Sequence, residues 1–238
     1  MRQIPNYLVI GSGRLAKHLA HYFQLCKIKF HNWSRSNHDI SQLEEFLKLS
    51  EVIILAINDD SVKLFIQQYP ILTTKTLIHC SGCLKLDNVI GIHPLMSFGN
   101  ELYQYNTYKK ISFIIDSSLE DFKKYFPTLS NPVHFIPKEE KAYYHALCVM
   151  SGNFTTIVWS KLFKELESRL NIPKEAAFTY LNSIALNLQI NHRDALTGPL
   201  IRGDSKTINQ NLVALENDSF LPIYQTFIKI LGENYGRK

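Results

Sequence analysis

The chain has 238 residues, 45% of them hydrophobic and 20% charged, with a formal net charge of +5. That length buries a real core in one large domain or two modest ones, and the composition excludes a disordered chain. Lys and Arg are scattered rather than gathered into a stripe, which argues against a nucleic-acid binder and for a protein that handles anionic ligands.

No apolar run reaches the roughly 18 residues that suggest a membrane span. A signal peptide is not expected, because Met1 and Arg2 lead into a short strand-like run. The four cysteines, Cys26, Cys80, Cys83 and Cys148, do not make a disulfide framework at this length, so the reducing cytoplasm is the expected compartment.

The first half alternates short apolar runs with helical patterns. Strands are expected over 7–10, 28–33, 52–57, 76–79, 89–92, 111–115 and 133–136, and helices over 14–25, 41–49 and 61–69. Runs such as VIILAI are apolar on both faces, as buried parallel strands are. The alternation predicts an α/β fold with a doubly wound, mostly parallel sheet.

Beyond Pro137 the strand signals stop. One long helix is expected over 138–170, interrupted only at Gly152, followed by helices over 174–189, 205–216 and 220–231. Asp204 is the expected cap of the third of these, and Gly232 the expected stop of the last. The boundary therefore falls near Pro137, giving a sheet domain over 1–137 and an all-helical domain over 138–238. The long helix is apolar nearly all round, with Tyr144, Leu147, Val149, Met150, Phe154, Ile157, Trp159 and Phe163. A helix without a wet face is buried by more than one neighbour, which points to a homodimer through the C-terminal helices.

The first strand runs into GSGRLA, a G-x-G-x-x-A turn. Gly11 permits the tight turn, Gly13 lets the backbone approach a pyrophosphate, and Ala16 keeps helix and strand close. Ser12, Arg14 and Leu15 complete the turn, where the first helical N–H groups meet the anion. The pattern follows a strand and opens a helix, the context that favours dinucleotide binding over a bare turn. The end of the second strand, about 20 residues on, is where an NAD site places an acid. Here it reads Ser34, Arg35 and Ser36. A guanidinium between hydroxyls suits a 2′-phosphate, so NADP is the expected cofactor; a solvated surface arginine is the alternative.

Ala56, Ile57 and Asn58 end the third strand, Ser81 follows the fourth and His93 the fifth. In an open α/β sheet the ligand crevice lies at these carboxyl ends. Ser81 is expected among the cofactor contacts and His93 among the substrate contacts, with turn or cap roles as the alternative. Asp59 and Asp60 read as caps. Cys80-x-x-Cys83, near His79 and His93, raises a metal or thiol-redox reading. There is no second pair at zinc spacing, so it is taken as coincidence and no metal site is expected.

The long helix carries Lys141, His145, Ser151 and Asn153 where burial is expected. Lys141 and His145 are four residues apart and share a face, and Asn153 lies within about a quarter-turn of His145. Gly152 in a helix interior costs ~1 kcal/mol against Ala, which suggests close approach of a ligand or backbone. His145 reads as a proton donor to a reduced carbonyl or imine, with Asn153 orienting the substrate, or both read as a hydrogen-bonded core pair. In LTGPLIRGD, Arg202 reads as a clamp for a substrate carboxylate or as a solvated turn residue.

With GSGRLA, LAINDD, HCSG, GIHPLMSF, YHALCVMSGN and LTGPLIRGD in order from Gly11 to Asp204, the chain resembles bacterial Rossmann-like proteins whose C-terminal half is a domain of unknown function (the DUF2520 type). These look like relatives of pyrroline-5-carboxylate reductase, ketopantoate reductase and the 6-phosphogluconate dehydrogenase group. The resemblance implies an NAD(P)-binding Rossmann domain, an all-helical C-terminal domain used for dimerisation, and a cleft between them. It implies no substrate. GIHPLMSF is also similar to the HP segment of prephenate dehydrogenases, over too few residues to transfer an activity. In the 6-phosphogluconate group a helix lysine and asparagine do the acid–base work, so Lys141 and His145 compete for the first role. The expected activity is NADP-dependent hydride transfer to or from a small acidic metabolite in the cleft, without nucleic acid or membrane partners. The alternative is a non-catalytic NADP(H)-binding sensor or partner-binding protein.

Overall fold

The structure, a computed structural model, describes residues 4–235. The chain divides into two compact units, Met1–Ile157 and Val158–Lys238.

The first unit is built on seven strands: β1 (Tyr7–Ile10), β2 (Phe30–Trp33), β3 (Val52–Leu55), β4 (Thr76–His79), β5 (Ile90–Pro94), β6 (Phe113–Ile115) and β7 (Val133–Phe135). They form one sheet in the order β2-β1-β3-β4-β5-β6-β7. β1 to β5 run parallel, while β6 is antiparallel to β5 and parallel to β7. β1 sits between β2 and β3, so the chain leaves it in one direction and later returns on its other side. That reversal opens a crevice at the carboxyl ends.

Alternation along β1 explains why its four residues are all apolar. Tyr7 and Val9 point into a core with Leu19, Phe23, Phe122 and Phe126. Leu8 and Ile10 point to the opposite face, into a second core with Leu43, Leu47, Val62 and Phe65. The covering helices are α1 (Arg14–Leu25), α2 (Ile40–Leu49), α3 (Asp59–Gln68), α4 (Tyr105–Lys110) and α5 (Leu119–Tyr125). Asp39 caps α2 and Ser118 caps α5, each in a reciprocal capping box. The short helices α4 and α5 were not expected from the pattern. The second strand starts two residues later than expected, because Lys27 takes φ 55° and Ile28 donates back to Phe23.

Strand structure ends at Phe135. A 3₁₀ turn over Lys138–Glu140 leads into α6 (Lys141–Val149), a π turn over Met150–Phe154, and α7 (Thr155–Ser168). The expected single helix is thus α6, a π turn where the glycine interruption was read, and α7. The first unit takes in α6 and the π turn, and α7 runs across the division between the units.

The second unit also holds α8 (Phe178–Asn191), α9 (Pro199–Arg202), α10 (Ser205–Ala214) and α11 (Leu221–Tyr235). Asp204 caps α10 by accepting from Thr207 N–H at 3.2 Å. LTGPLIRGD, expected as a loop, contains the one-turn helix α9. Gly232 does not stop α11, which continues to Tyr235; one glycine inside a helix costs only about 1 kcal/mol. Trp159 packs on Tyr180, and Lys161 pairs with Asp218 at 2.7 Å. Among the described residues of this unit only Ala177 is buried, and Tyr180, Leu186, Leu188 and Ile190 of α8 are exposed.

Candidate active site

The glycine turn joins β1 to α1 at the reversal of strand order. Gly11 has φ 138°, a conformation open to glycine, and its N–H donates to Trp33 O at 2.8 Å. A Cβ there would collide with the carbonyl oxygen of Ala56. Gly11 is therefore demanded by the fold. Gly13 is not: its φ is −68°, and nothing lies within 4 Å of where its Cβ would be. As the N-cap of α1 it occupies a position where glycine is favoured, and it leaves the space beside the turn open. Gly13 also starts α1 without a side-chain cap, leaving the first helical N–H groups to an outside acceptor.

A groove of about 520 Å³ opens at this turn. It brings together Gly11, Ser12, Gly13, Ser34, Arg35, Ser36, Ala56, Ile57 and Asn58, from the carboxyl ends of β1, β2 and β3. Arg35 is exposed and has no ion-pair partner among the described residues, while the Ser34 and Ser36 hydroxyls lie 3.1 Å apart. Three residues expected here lie elsewhere. Arg14 reaches Phe98 O at 3.5 Å, Leu15 packs on the core, and Ser81 hydrogen-bonds Asp59. The groove also takes Ser61, Leu64, Phe65 and Gln68 from α3, which the motif reading missed. Leu64 was the available signal: an apolar residue on the wet face of an amphipathic helix, 66% exposed.

A second cluster is tied to the groove by a short path of contacts. Asn58 lines the groove, the next residue Asp59 accepts from the Ser81 hydroxyl, and Gly82 follows. A Cβ on Gly82 would lie 2.5 Å from Cδ2 of His145 and 3.2 Å from Cδ2 of His93. The His93 and His145 rings meet edge-on with centroids 5.8 Å apart, and His93 Nδ1 is 2.8 Å from the Tyr144 hydroxyl. Burial and neighbouring His145 pull His93 down to about 4, so its imidazole is neutral at pH 7. Burial, with Cys148 beside it, raises Tyr144 above the ordinary phenol value and keeps its proton on. Tyr144 had been read only as apolar helix surface. Its adjacency to His145, one position before it on the same helix, was the overlooked sign.

Lys141 stands apart from these groups. It is 3% exposed, with Nζ 2.6 Å from Asp116 Oδ2. Asn153 is exposed and its side chain makes no hydrogen bond among the described residues. No protein atom comes within 4 Å of the Cβ position of Gly152, so no backbone approaches there. Arg202 is exposed in α9, near Asp204.

All four cysteines are free thiols. Cys80 is enclosed, and burial pushes its thiol up to about 12, so Cys80 offers no ready thiolate. The described residues contain no group of three or more His, Cys, Asp or Glu able to hold a metal ion. No helix among them is long and apolar enough to cross a membrane.

Residues 114–230 match the family described as a domain of unknown function, DUF2520. No curated protein sequence matches the chain. Among solved structures it is similar to a candidate NADP oxidoreductase of Bacteroides fragilis, with 22% identity, TM-score 0.78, and 96% of this chain and 98% of that one covered. A protein of Thermotoga maritima gives 21% identity and TM-score 0.69 over 95% and 97%. Pyrroline carboxylate reductase of Plasmodium falciparum, solved with NADP bound, gives 15% identity and TM-score 0.61 over 97% of both chains. At these identities the likeness shows the fold. The match to the DUF2520 family model thus covers residues 114–230, just under half of the chain, and nearly the whole chain shares its fold with these solved structures.

Proposed function

We propose that the protein is an NADP-dependent oxidoreductase acting on a small acidic metabolite. The observation that carries this reading is the groove: Gly13, with open space beside it, and Arg35, without an ion-pair partner among the described residues, line the same space at the strand-order reversal. The residues fit the cofactor's chemistry. Gly11 to Gly13 and the start of α1 suit a diphosphate, Arg35 with Ser34 and Ser36 a 2′-phosphate, and Leu64 an apolar ring face. The named activities of proteins with this fold, an NADP oxidoreductase and an NADP-bound reductase, support the same reading.

When bound, the cofactor supplies or accepts a hydride at a carbonyl, imine or alcohol carbon. The protein's part is the proton. A neutral His93 beside a protonated Tyr144, with His145 against both, holds a transferable proton three residues from the groove wall (Asn58–Asp59 to Ser81–Gly82). General acids so placed typically contribute 10²–10⁴-fold. In the second unit Arg202 is an exposed cation able to take a carboxylate. The exposed apolar side chains of α8 support a homodimer, since patches of that kind are covered in stable proteins.

Trp33 lines the groove, so its fluorescence reports the test. NADPH should quench it with higher affinity than NADH, and NADPH should be consumed with at least one member of a panel of small oxo- and imino-acids. Tight NADPH binding without turnover of any panel member would replace the enzyme with a sensor. Absence of NADPH binding would remove both.

A further inference from the structure

The buried pair Lys141–Asp116 is a strongly charged feature of the first unit that the proposed chemistry does not use. Its surroundings show what it does. Gly91 and His93 are two apart on β5 and share a face, about 6.7 Å apart along the strand. Lys141 and the pair Tyr144–His145 are three to four apart on α6, about one 5.4 Å turn. The two spacings are laid side by side, with Lys141 over Gly91 and Tyr144 with His145 over His93.

At the Gly91 end the fit is specific. Asp116 Oδ1 accepts from Gly91 N–H at 2.7 Å, Asp116 N–H donates to Gly91 O at 3.1 Å, and Asp116 Oδ2 takes Lys141 Nζ at 2.6 Å. The side chains of the pair are 4% and 1% exposed. A Cβ on residue 91 would strike both Lys141 Nζ and the Asp116 carboxylate, so the bare glycine makes room for the pair. Buried ion pairs add little net stability, because desolvation offsets their attraction, and in some proteins they instead select one arrangement over its neighbours. Sliding α6 by one residue would leave the Asp116 carboxylate buried and unpaired, and would turn His145 away by about 100°.

We propose that Lys141 and Asp116 are positioning residues that set the register of α6 on β5 and so hold Tyr144 and His145 against His93. The proposal uses the oxidoreductase reading only for what Tyr144 and His145 do once held. Lys141 itself gives no proton to a ligand, since its Nζ is enclosed and bound to Asp116.

The test is magnetic resonance of the full-length protein, reading nuclear Overhauser contacts from the His93 ring to Tyr144 and His145. Lys141→Met with Asp116→Leu replaces the pair by apolar groups without stranding a charge. Gly91→Ala keeps both charges and forces them off the strand. In each folded variant the contacts should weaken several-fold or vanish, with NADPH affinity, read by Trp33 fluorescence, within about twofold of wild type. Because Gly91→Ala removes no charge, His93 should also titrate above its wild-type value in that variant. Wild-type ring contacts in either folded variant would overturn the proposal and leave the pair a stabilising contact only. Wild-type protein that fails to bind NADPH would sink the oxidoreductase reading instead, and the ring contacts would still decide the register.

Discussion

The ring of His145 occupies the space that a side chain on residue 82 would need: a Cβ on Gly82 would lie 2.5 Å from His145 Cδ2 and 3.1 Å from its Cγ. The loop after β4 and helix α6 are therefore fitted to each other. Gly82→Ala should push the imidazole aside, at an overpacking cost of about 1–3 kcal/mol. Activity should fall by more than the loss of folded protein accounts for. Chemical denaturation together with turnover per folded molecule checks this; unchanged turnover would show that the ring position is immaterial.

Arg35→Ala should weaken NADPH binding by ~1.5–3 kcal/mol, the size of a charged hydrogen bond, and leave NADH binding nearly unchanged. Calorimetric titration with both nucleotides measures the difference. Equal loss for the two would mean that Arg35 does not read the 2′-phosphate.

Gly13→Asp places a carboxylate where the structure shows open space beside the turn. The fold should survive, because nothing lies in the new side chain's way, while repulsion abolishes diphosphate binding. If NADPH affinity stays at its wild-type value in a folded variant, the groove is not a nucleotide site.

Tyr144→Phe removes the hydroxyl that meets His93 Nδ1 at 2.8 Å, and His145→Gln removes the neighbouring imidazole. Either should lower single-turnover hydride transfer by ~10²–10⁴-fold with NADPH affinity intact. Thermal unfolding of the same samples separates the alternatives: a destabilised but fully active His145→Gln protein would take His145 out of the chemistry.

His79 is 0% exposed, its Nε2 has no partner, and burial with Lys141 nearby lowers it to about 4. The unfolded chain, with an ordinary value near 6.5, binds the proton more readily. Stability from the neutral ring is therefore full above pH 6.5 and is lost as pH falls toward 4, by an amount on the order of 3 kcal/mol. Urea unfolding at pH 7, 5.5 and 4.5 should show this decline, and His79→Leu should flatten it. An identical slope in the variant would place the acid sensitivity at His93 or elsewhere.

The groove was legible in the sequence because its signals are local. A glycine turn between strand and helix, and three residues at the end of the next strand, occupy positions that the βαβ unit itself defines. The same is true of the strands and of the cap Asp204, which acts within three residues. The interruption at Gly152 was visible for the same reason, although its form, a π turn, was not.

The second cluster was only half visible. His93 and His145 stood out as polar residues in apolar surroundings, but 52 positions of sequence separate them. Nothing local says that β5 and α6 lie side by side, or that Gly82 completes their contact. Lys141 shows the limit most directly. By type and helical phase it matches a proton donor, and the reading changes only because Asp116, 25 residues earlier, arrives from β6, the strand that runs antiparallel to β5. Periodicity and turn chemistry are properties of neighbouring residues, so the sequence by itself determined the alternating fold, the nucleotide-type turn and the polar residues worth watching. Which charges neutralise each other, and which ring faces which, depends on pairing across the sheet, and only the tertiary structure decided that.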